Sequence, residues 1–309
     1  MLQNCQLFLF FSVYAMPLLS NIPFRTIGFD RRPDLRKSVT SLKTLLDVES
    51  TKFICFYKGK PLICLQPQVS IGFVDKQPVG NCFFVGVRKG KAIFAVSTAT
   101  PQTAGKHIDL RSIGGSLPPE DLSLLGYCQS LLKWHASNLF CQRCGLALSF
   151  DLSGEKRWCQ SCTVDVFPRI NPVVIALVCY ENKLLLGRQS SFPKGMYSCL
   201  AGFVELGEGI EDTVAREVQE EVGLPVSQVE YLGSQPWPFP AQLMMAFVAH
   251  VSHQVVEIDT SELEDARWFS ISELKEMCSG RSRDGFFIPP SIAIARQMVM
   301  HFIEHFDSR

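Results

Sequence analysis

The sequence predicts a mixed α/β protein in three parts: a β-rich N-terminal domain, a small four-cysteine ribbon, and a C-terminal sandwich of helices around a mixed sheet. Three observations predict it. Between residues 21 and about 98, short runs of β-branched and aromatic residues alternate with polar punctuation. Two C-x2-C knuckles, Cys141/Cys144 and Cys159/Cys162, then stand fourteen residues apart. Beyond them, strand patterns are interspersed with helical ones, as in a sheet covered on both faces. At 309 residues the chain is long for one compact domain. The expected divisions are 1–21, 22–136, 137–168 and 169–306.

Residues 1–20 are apolar and uncharged, but short for a membrane span and without the basic start of a signal peptide. A signal anchor and an organelle leader both stay open, and residues 1–21 are left unassigned. Residues 24–46 predict a loop and a short helix. Residues 53–57, 61–65, 69–74, 82–87 and 91–96 read as strands, with turns at Lys58-Gly59 and Lys89-Gly90. Residues 118–137 carry apolar residues at helical spacing behind Pro118-Pro119-Glu120-Asp121, a sequence suited to a helix start. After the knuckles, residues 172–180 and 183–188 form a hairpin pattern around Glu181-Asn182. Strands are expected at 197–203, 228–233, 243–251 and 266–269, and helices at 210–222, 272–278 and 290–306.

Lysine plus arginine and aspartate plus glutamate each number 30, so the formal net charge is zero. No global basic field draws the chain to nucleic acid or to an anionic membrane, and a membrane partner is not expected. Phosphate recognition must be local. Apart from the quartet, the twelve cysteines are scattered. They read as reduced thiols of an intracellular protein rather than a disulfide framework. Cytoplasm is the default, with mitochondria and peroxisomes open.

The quartet has the spacing of a closed tetrahedral Zn²⁺ site, which folds a loop and leaves no open position for catalysis. A redox pair and free thiols are the competing readings. Zinc ribbons also bind nucleic acid, but Arg143, Lys156 and Arg157 are few for that role.

Glu217, Glu220 and Glu221 stand at i, i+3 and i+4 of the predicted helix, so their carboxylates share one face. Such close charges repel unless a cation lies among them, and Mg²⁺ or Mn²⁺ suits oxygen ligands shared with substrate phosphates. Glu208 on the preceding loop is within expected reach of the same cluster. The bland alternative is a solvated acidic face. Downstream, Ser234-Gln235-Pro236-Trp237-Pro238-Phe239-Pro240 predicts a stiff extended loop whose ring faces can stack on a nucleobase or a nicotinamide. Its bland alternative is a rigid loop packed on the core.

The frame around the glutamates decides between these readings. Gly202, five residues, Glu208, seven residues, then Arg216-Glu217-Val218-Gln219-Glu220-Glu221-Val222-Gly223-Leu224 resembles the full signature of the Nudix hydrolases. That resemblance implies a Nudix α/β/α sandwich and metal-dependent hydrolysis of a nucleoside diphosphate linked to another moiety. With the ribbon before it and SQPWPFP after it, the chain resembles the NADH pyrophosphatase family from about residue 22 onward. The resemblance implies zinc ligands at Cys141, Cys144, Cys159 and Cys162. It implies divalent-metal positions at Glu217, Glu220, Glu221, Glu262 and the Ala201 carbonyl. It also implies substrate contacts at Gln235, Pro236, Trp237, Pro238, Phe239, Pro240, Ala241, Gln242 and Ala295. Phe167 stands where the family has tyrosine and keeps the ring without the hydroxyl. Gln242 stands where serine is usual, and Glu155 is displaced by one position from a family glutamate.

The expected activity is hydrolysis of NADH, and of NAD⁺ or NADPH-type dinucleotides, to AMP and reduced nicotinamide mononucleotide by a homodimer. Glu220 or Glu221 is the expected proton acceptor, and Arg216 is expected to orient Glu217 or the loop. Two rivals remain: removal of NAD caps from RNA by the same site, and a nucleotide-binding scaffold without turnover.

Overall fold

The computed structural model describes residues 18–25 and 28–307. In the N-terminal domain, α1 (Pro33–Arg36) and α2 (Val39–Leu46) precede β1 (Lys52–Tyr57), β2 (Lys60–Cys64), β3 (Ser70–Ile71) and β4 (Phe73–Val74). Then come β5 (Gly80–Arg88), β6 (Lys91–Thr98), β7 (Lys106–His107), α3 (Leu110–Ile113) and α4 (Pro119–Ser137). The seven strands form one sheet ordered β3-β2-β1-β6-β5, with β4 on β1 and β7 on β2. Alternation sorts β1: Ile54 and Phe56 join Leu124, Leu125 and Cys128 of α4, whereas Phe53 and Cys55 join Leu42 of α2. The strand expected at 69–74 is broken at Gly72, where a Cβ would lie 2.7 Å from Leu62. Its halves pair with different strands, β3 with β2 and β4 with β1.

The ribbon consists of β8 (Ser149–Phe150), β9 (Arg157–Cys159) and β10 (Val164–Val166), all antiparallel. The C-terminal domain follows with β11 (Asn171–Tyr180), β12 (Lys183–Arg188), β13 (Leu200–Phe203) and α5 (Ile210–Val222). It continues through β14 (Val226–Trp237), β15 (Gln242–Val251), β16 (Asp265–Ser270), α6 (Ile271–Ser279) and α7 (Ile294–Asp307). Strand order is β14-β15-β11-β12-β16, with β13 on β11. The sheet is mixed, because β11 and β15 are parallel while β11 and β12 are antiparallel. Ile175, Leu177 and Cys179 face Leu274 of α6 and Met298 and Phe302 of α7. Val174, Ala176 and Val178 face Val214, Val218 and Val222 of α5. The sandwich expected from the pattern is therefore present.

The two sheets share one connectivity. In each, a first strand pairs antiparallel with a second (β1/β2, β11/β12) and with a third (β1/β4, β11/β13). It also pairs in parallel with a later one (β1/β6, β11/β15), whose other neighbour is β5 or β14. They differ in the connection after the third strand. Residues 75–79 make it in the N-terminal domain, too few for a helix, whereas α5 occupies it in the C-terminal domain.

Two expectations change. The stretch read as a loop after residue 233 mostly continues β14, with Ser234 through Trp237 pairing Met245 through Gln242. β14 lies at the sheet edge, where a proline's missing N–H is tolerated. The last helix begins at Ile294, beyond Pro289-Pro290, rather than at residue 290. Of the unassigned stretch 1–21, residues 1–17 lie outside the described residues. Leu19 donates its N–H to the Leu232 carbonyl (2.9 Å), and Leu19 and Ile22 are buried beside Leu232 in the C-terminal core. No helix among the described residues is long and apolar enough to cross a membrane.

Candidate active site and cysteine cluster

α5 is amphipathic by construction. Val214, Val218 and Val222 recur on its buried side, Asp212 accepts from the Gly209 N–H at its start (3.3 Å), and Gly223 closes it in the left-handed region (φ 68°). The acidic side faces β13. There Gly202 leaves the space that the Glu217 carboxylate fills, since a Cβ at residue 202 would lie 1.8 Å from its Cδ.

The last carbonyls of α5 are met by a loop arriving from β15. Glu257 donates its N–H to the Val222 carbonyl and Asp259 to that of Glu221, both at 3.0 Å. Glu262 N–H in turn donates to the Asp259 carbonyl (3.1 Å). That scaffold delivers Glu262 to the helix: carboxylate oxygens of Glu217, Glu221 and Glu262 all lie within 4.8 Å of one another.

Glu221 is 2% exposed and its Oε2 has no hydrogen-bond partner. Burial first, then the charges of Glu217 and Glu262, push its carboxyl up to about 8. Burial likewise raises Glu217, against the pull of Arg216. Three converging carboxylates with one buried oxygen left unpaired fit a hard divalent cation.

Glu208 and Glu220 stand apart from that set. Arg216 grips Glu208 with two nitrogens, Nε to Oε1 (2.5 Å) and Nη2 to Oε2 (3.0 Å), which holds that carboxyl down at about 2. Glu208 is therefore committed to the arginine fork and does not reach the cluster. Arg216 Nη1 also donates to Glu217 Oε1 and Glu220 Oε2, both at 2.9 Å, and Nη2 to the Phe203 carbonyl at 3.0 Å. Arg216 thus makes its two-nitrogen grip on Glu208 and a single bond to Glu217, where a bidentate pair with Glu217 or the loop is expected from the sequence. Glu220 is 52% exposed at the rim.

A cavity of about 390 Å³ opens beside Glu221, and Ala201, Gln235, Trp237, Gln242 and Ala295 line it, as do Gln189, Phe203 and Met244. No lysine or arginine is among its lining residues. Phe203 was not singled out from the sequence: an apolar residue next to Gly202 reads as packing, yet its ring is half exposed here. Trp237 and Gln242 also border a second cavity of about 670 Å³, with Pro236, Pro238 and Ala241, between the three parts of the chain. Phe239 lies edge-on to Trp237 (4.9 Å) under the Arg111 guanidinium (4.4 Å). Phe239, Pro240 and Phe167 line neither of these cavities, and the Phe167 ring is exposed.

In the ribbon, Sγ atoms of Cys141, Cys144, Cys159 and Cys162 all lie within 4.8 Å of one another. Backbone N–H groups of Arg143 and Cys144 hold the Cys141 thiol down at about 7. Cys162 N–H points at Cys159 Sγ (3.4 Å). Four convergent sulfurs without a disulfide, two of them polarised by backbone donors, fit a thiolate-bound metal.

Comparisons with known proteins agree with this geometry. A NUDIX domain matches residues 169–286, and an NADH pyrophosphatase-like rudimentary NUDIX domain matches residues 50–134. The second match accounts for the repeated connectivity. The chain is 42% identical over 255 residues to human mitochondrial NAD(P)H pyrophosphatase NUDT13, spanning 78% of this chain and 72% of that one. It is 33% identical over 307 residues to the NAD-capped RNA hydrolase NudC of Mycobacterium bovis, spanning 94% and 95%. To human NAD-capped RNA hydrolase NUDT12 it is 41% identical over 197 residues, spanning 43% of that relative's length. The two domain matches on either side of the cysteine ribbon, with relatives at 33–42% identity covered over most of their length, place this chain in the NADH pyrophosphatase branch of the Nudix hydrolases.

Proposed function

We propose that the chain hydrolyses the pyrophosphate bond of NADH, and of related dinucleotides, to AMP and reduced nicotinamide mononucleotide. The observation that carries this is the three-carboxylate cluster, whose Glu221 lines a cavity that Trp237 and Ala295 also line. Among the described residues that line this cavity none is basic, so a pyrophosphate's negative charge would be met by cations on the carboxylates. Glu217, Glu221 and Glu262, with the Ala201 carbonyl, would hold Mg²⁺ or Mn²⁺. Bound there, such ions supply charge neutralisation and a more acidic water.

The protein side chains divide the remaining work. Arg216 fixes Glu217 and Glu220 in register with the loop. Glu220, outside the three-carboxylate set, takes the water's proton at its carboxylate. Trp237, and the Phe203 ring at the mouth, offer faces to the bases. Zn²⁺ at the four cysteines folds the ribbon. Exposed Phe140, Leu146, Phe167 and Ile170 on and beside the ribbon support a homodimer in which a second copy covers them.

The names of the relatives support both NAD(P)H and NAD-capped RNA as substrates, and the same cluster serves either. Initial rates with Mn²⁺ on NADH, NADPH, NAD⁺ and NAD-capped RNA, with products separated by chromatography, test the reading. Metal-dependent release of AMP from NADH is expected. Absence of turnover on every dinucleotide would overturn the reading, and a steep salt dependence on capped RNA alone would favour RNA as the substrate.

A further inference from the structure

The segment 234–240 is held in place from outside its own domain. Pro238 and Pro240 have no N–H, so their carbonyls are the handles by which a neighbour can hold them. Both are taken by α4 of the N-terminal domain. Buried Gln129 donates Nε2 to the Pro238 carbonyl (2.8 Å), and Ser130 Oγ donates to that of Pro240 (3.1 Å).

Gln235 is fully buried, and its amide is engaged at every atom. Nε2 donates to the Pro23 carbonyl (3.0 Å) and to the Ile292 carbonyl (2.9 Å), while Oε1 accepts the Ile294 N–H (2.9 Å). Ile294 opens α7, and its N–H is one of the donors a helix start leaves without an internal partner. A strand residue from across the cavity supplies the cap. Alternation along β14 places Gln235 and Trp237 on one face, and both line the cavity that Ala293, Ile294 and Ala295 wall on the other side.

We infer that Gln129 and Gln235 are positioning residues for the substrate: through these two amides the N-terminal domain and residues 18–25 set the distance between Trp237 and the 293–295 wall. The inference rests on the proposal that this cavity takes the dinucleotide. It assigns the degenerate first domain a part in binding, although that domain has no acidic helix. It also gives Gln235 a role other than substrate contact, because its amide is already committed to the backbone. Neither glutamine hydrogen-bonds the glutamates of α5, so the effect falls on binding and not on the chemical step.

Gln235→Met and Gln129→Met keep side-chain length and remove the hydrogen bonds. With saturating Mn²⁺, each is expected to raise KM for NADH about tenfold while kcat stays within about twofold. In hydrogen–deuterium exchange the Ile294 amide should open about tenfold faster in Gln235→Met, with α5 unchanged. Unchanged KM in both variants, or a falling kcat at constant KM, would overturn the inference, as would a lowered Tm with KM intact. If Gln235→Met fails to fold, Gln129→Met decides alone. Should the wild type leave NADH intact, the proposed function falls, but exchange still decides positioning. Unchanged protection of Ile294 and of residues 239–242 in these variants would contradict it.

Discussion

Substituting Gly202 by alanine separates the carboxylate cluster from the fold. The backbone at Gly202 lies outside the left-handed region, so alanine meets no torsional penalty there. Its Cβ would stand 1.8 Å from Glu217 Cδ and 1.9 and 2.1 Å from the two oxygens. Carbon atoms rest at about 3.5–4 Å, so the carboxylate must retreat by roughly 1.5 Å or more. The retreating atoms are the end of a flexible side chain, and what they lose in stability is one partly exposed contact to Arg216, worth about 1 kcal/mol or less. Alanine returns about 0.5–1 kcal/mol through lower chain entropy in the unfolded state. The melting temperature should therefore stay within a few degrees of wild type. Catalysis should not survive the change, because a ligand misplaced by over 1 Å costs about 100-fold, or about 2.7 kcal/mol. NADH turnover across a Mn²⁺ titration, with thermal melting alongside, measures both quantities. Turnover within threefold of wild type at the same Mn²⁺ dependence would refute the placement of Glu217 in the cation set.

Two further outcomes follow from the ribbon and from a buried histidine. The ribbon's buried core is Cys141, Leu148 and Cys159, too small to hold a fold unaided. Chelation should release about one zinc per chain by atomic absorption and deprotect residues 138–167 to hydrogen exchange, while α5 stays protected. His135 is buried, stacked on Phe83 (3.7 Å), and bonded to the Gly154 carbonyl (3.0 Å). Burial, aided by the nearby Arg157 charge, lowers it from 6.5 to about 4. Because the unfolded chain binds the proton more readily, stability should be full above the unfolded value near 6.5 and be lost as pH falls toward 4. The loss amounts to about 3 kcal/mol. In His135→Phe, this part of the pH dependence of urea unfolding should disappear.

Much of this architecture is legible in the residues. Alternating strands, the apolar face of α5 and the knuckle spacing are local patterns, and each appears where its pattern lies. The rest depends on tertiary partners. That Glu208 belongs to Arg216 rather than to the cluster is a matter of side-chain reach across a loop, which spacing does not encode. Glu262 enters through the loop that caps α5, forty residues away in sequence from the helix it serves, and only the family resemblance pointed to it. The prolines of 234–240 suggested a loop, because nothing local reveals that β14 would be an edge strand able to carry them. Gln235 read as a substrate contact; its burial against Pro23 and Ile292 needs three distant segments folded together.

The central claim is that the carboxylates of α5 hold the catalytic cations, and Glu221→Gln tests it most directly. The variant keeps the volume of the buried side chain and removes its capacity to ionise and bind a cation. Initial rates of AMP release from NADH, at saturating Mn²⁺ and pH 7.5, should fall by a factor on the order of 100 to 1,000 with the circular dichroism unchanged. A rate within a few-fold of wild type would contradict the account.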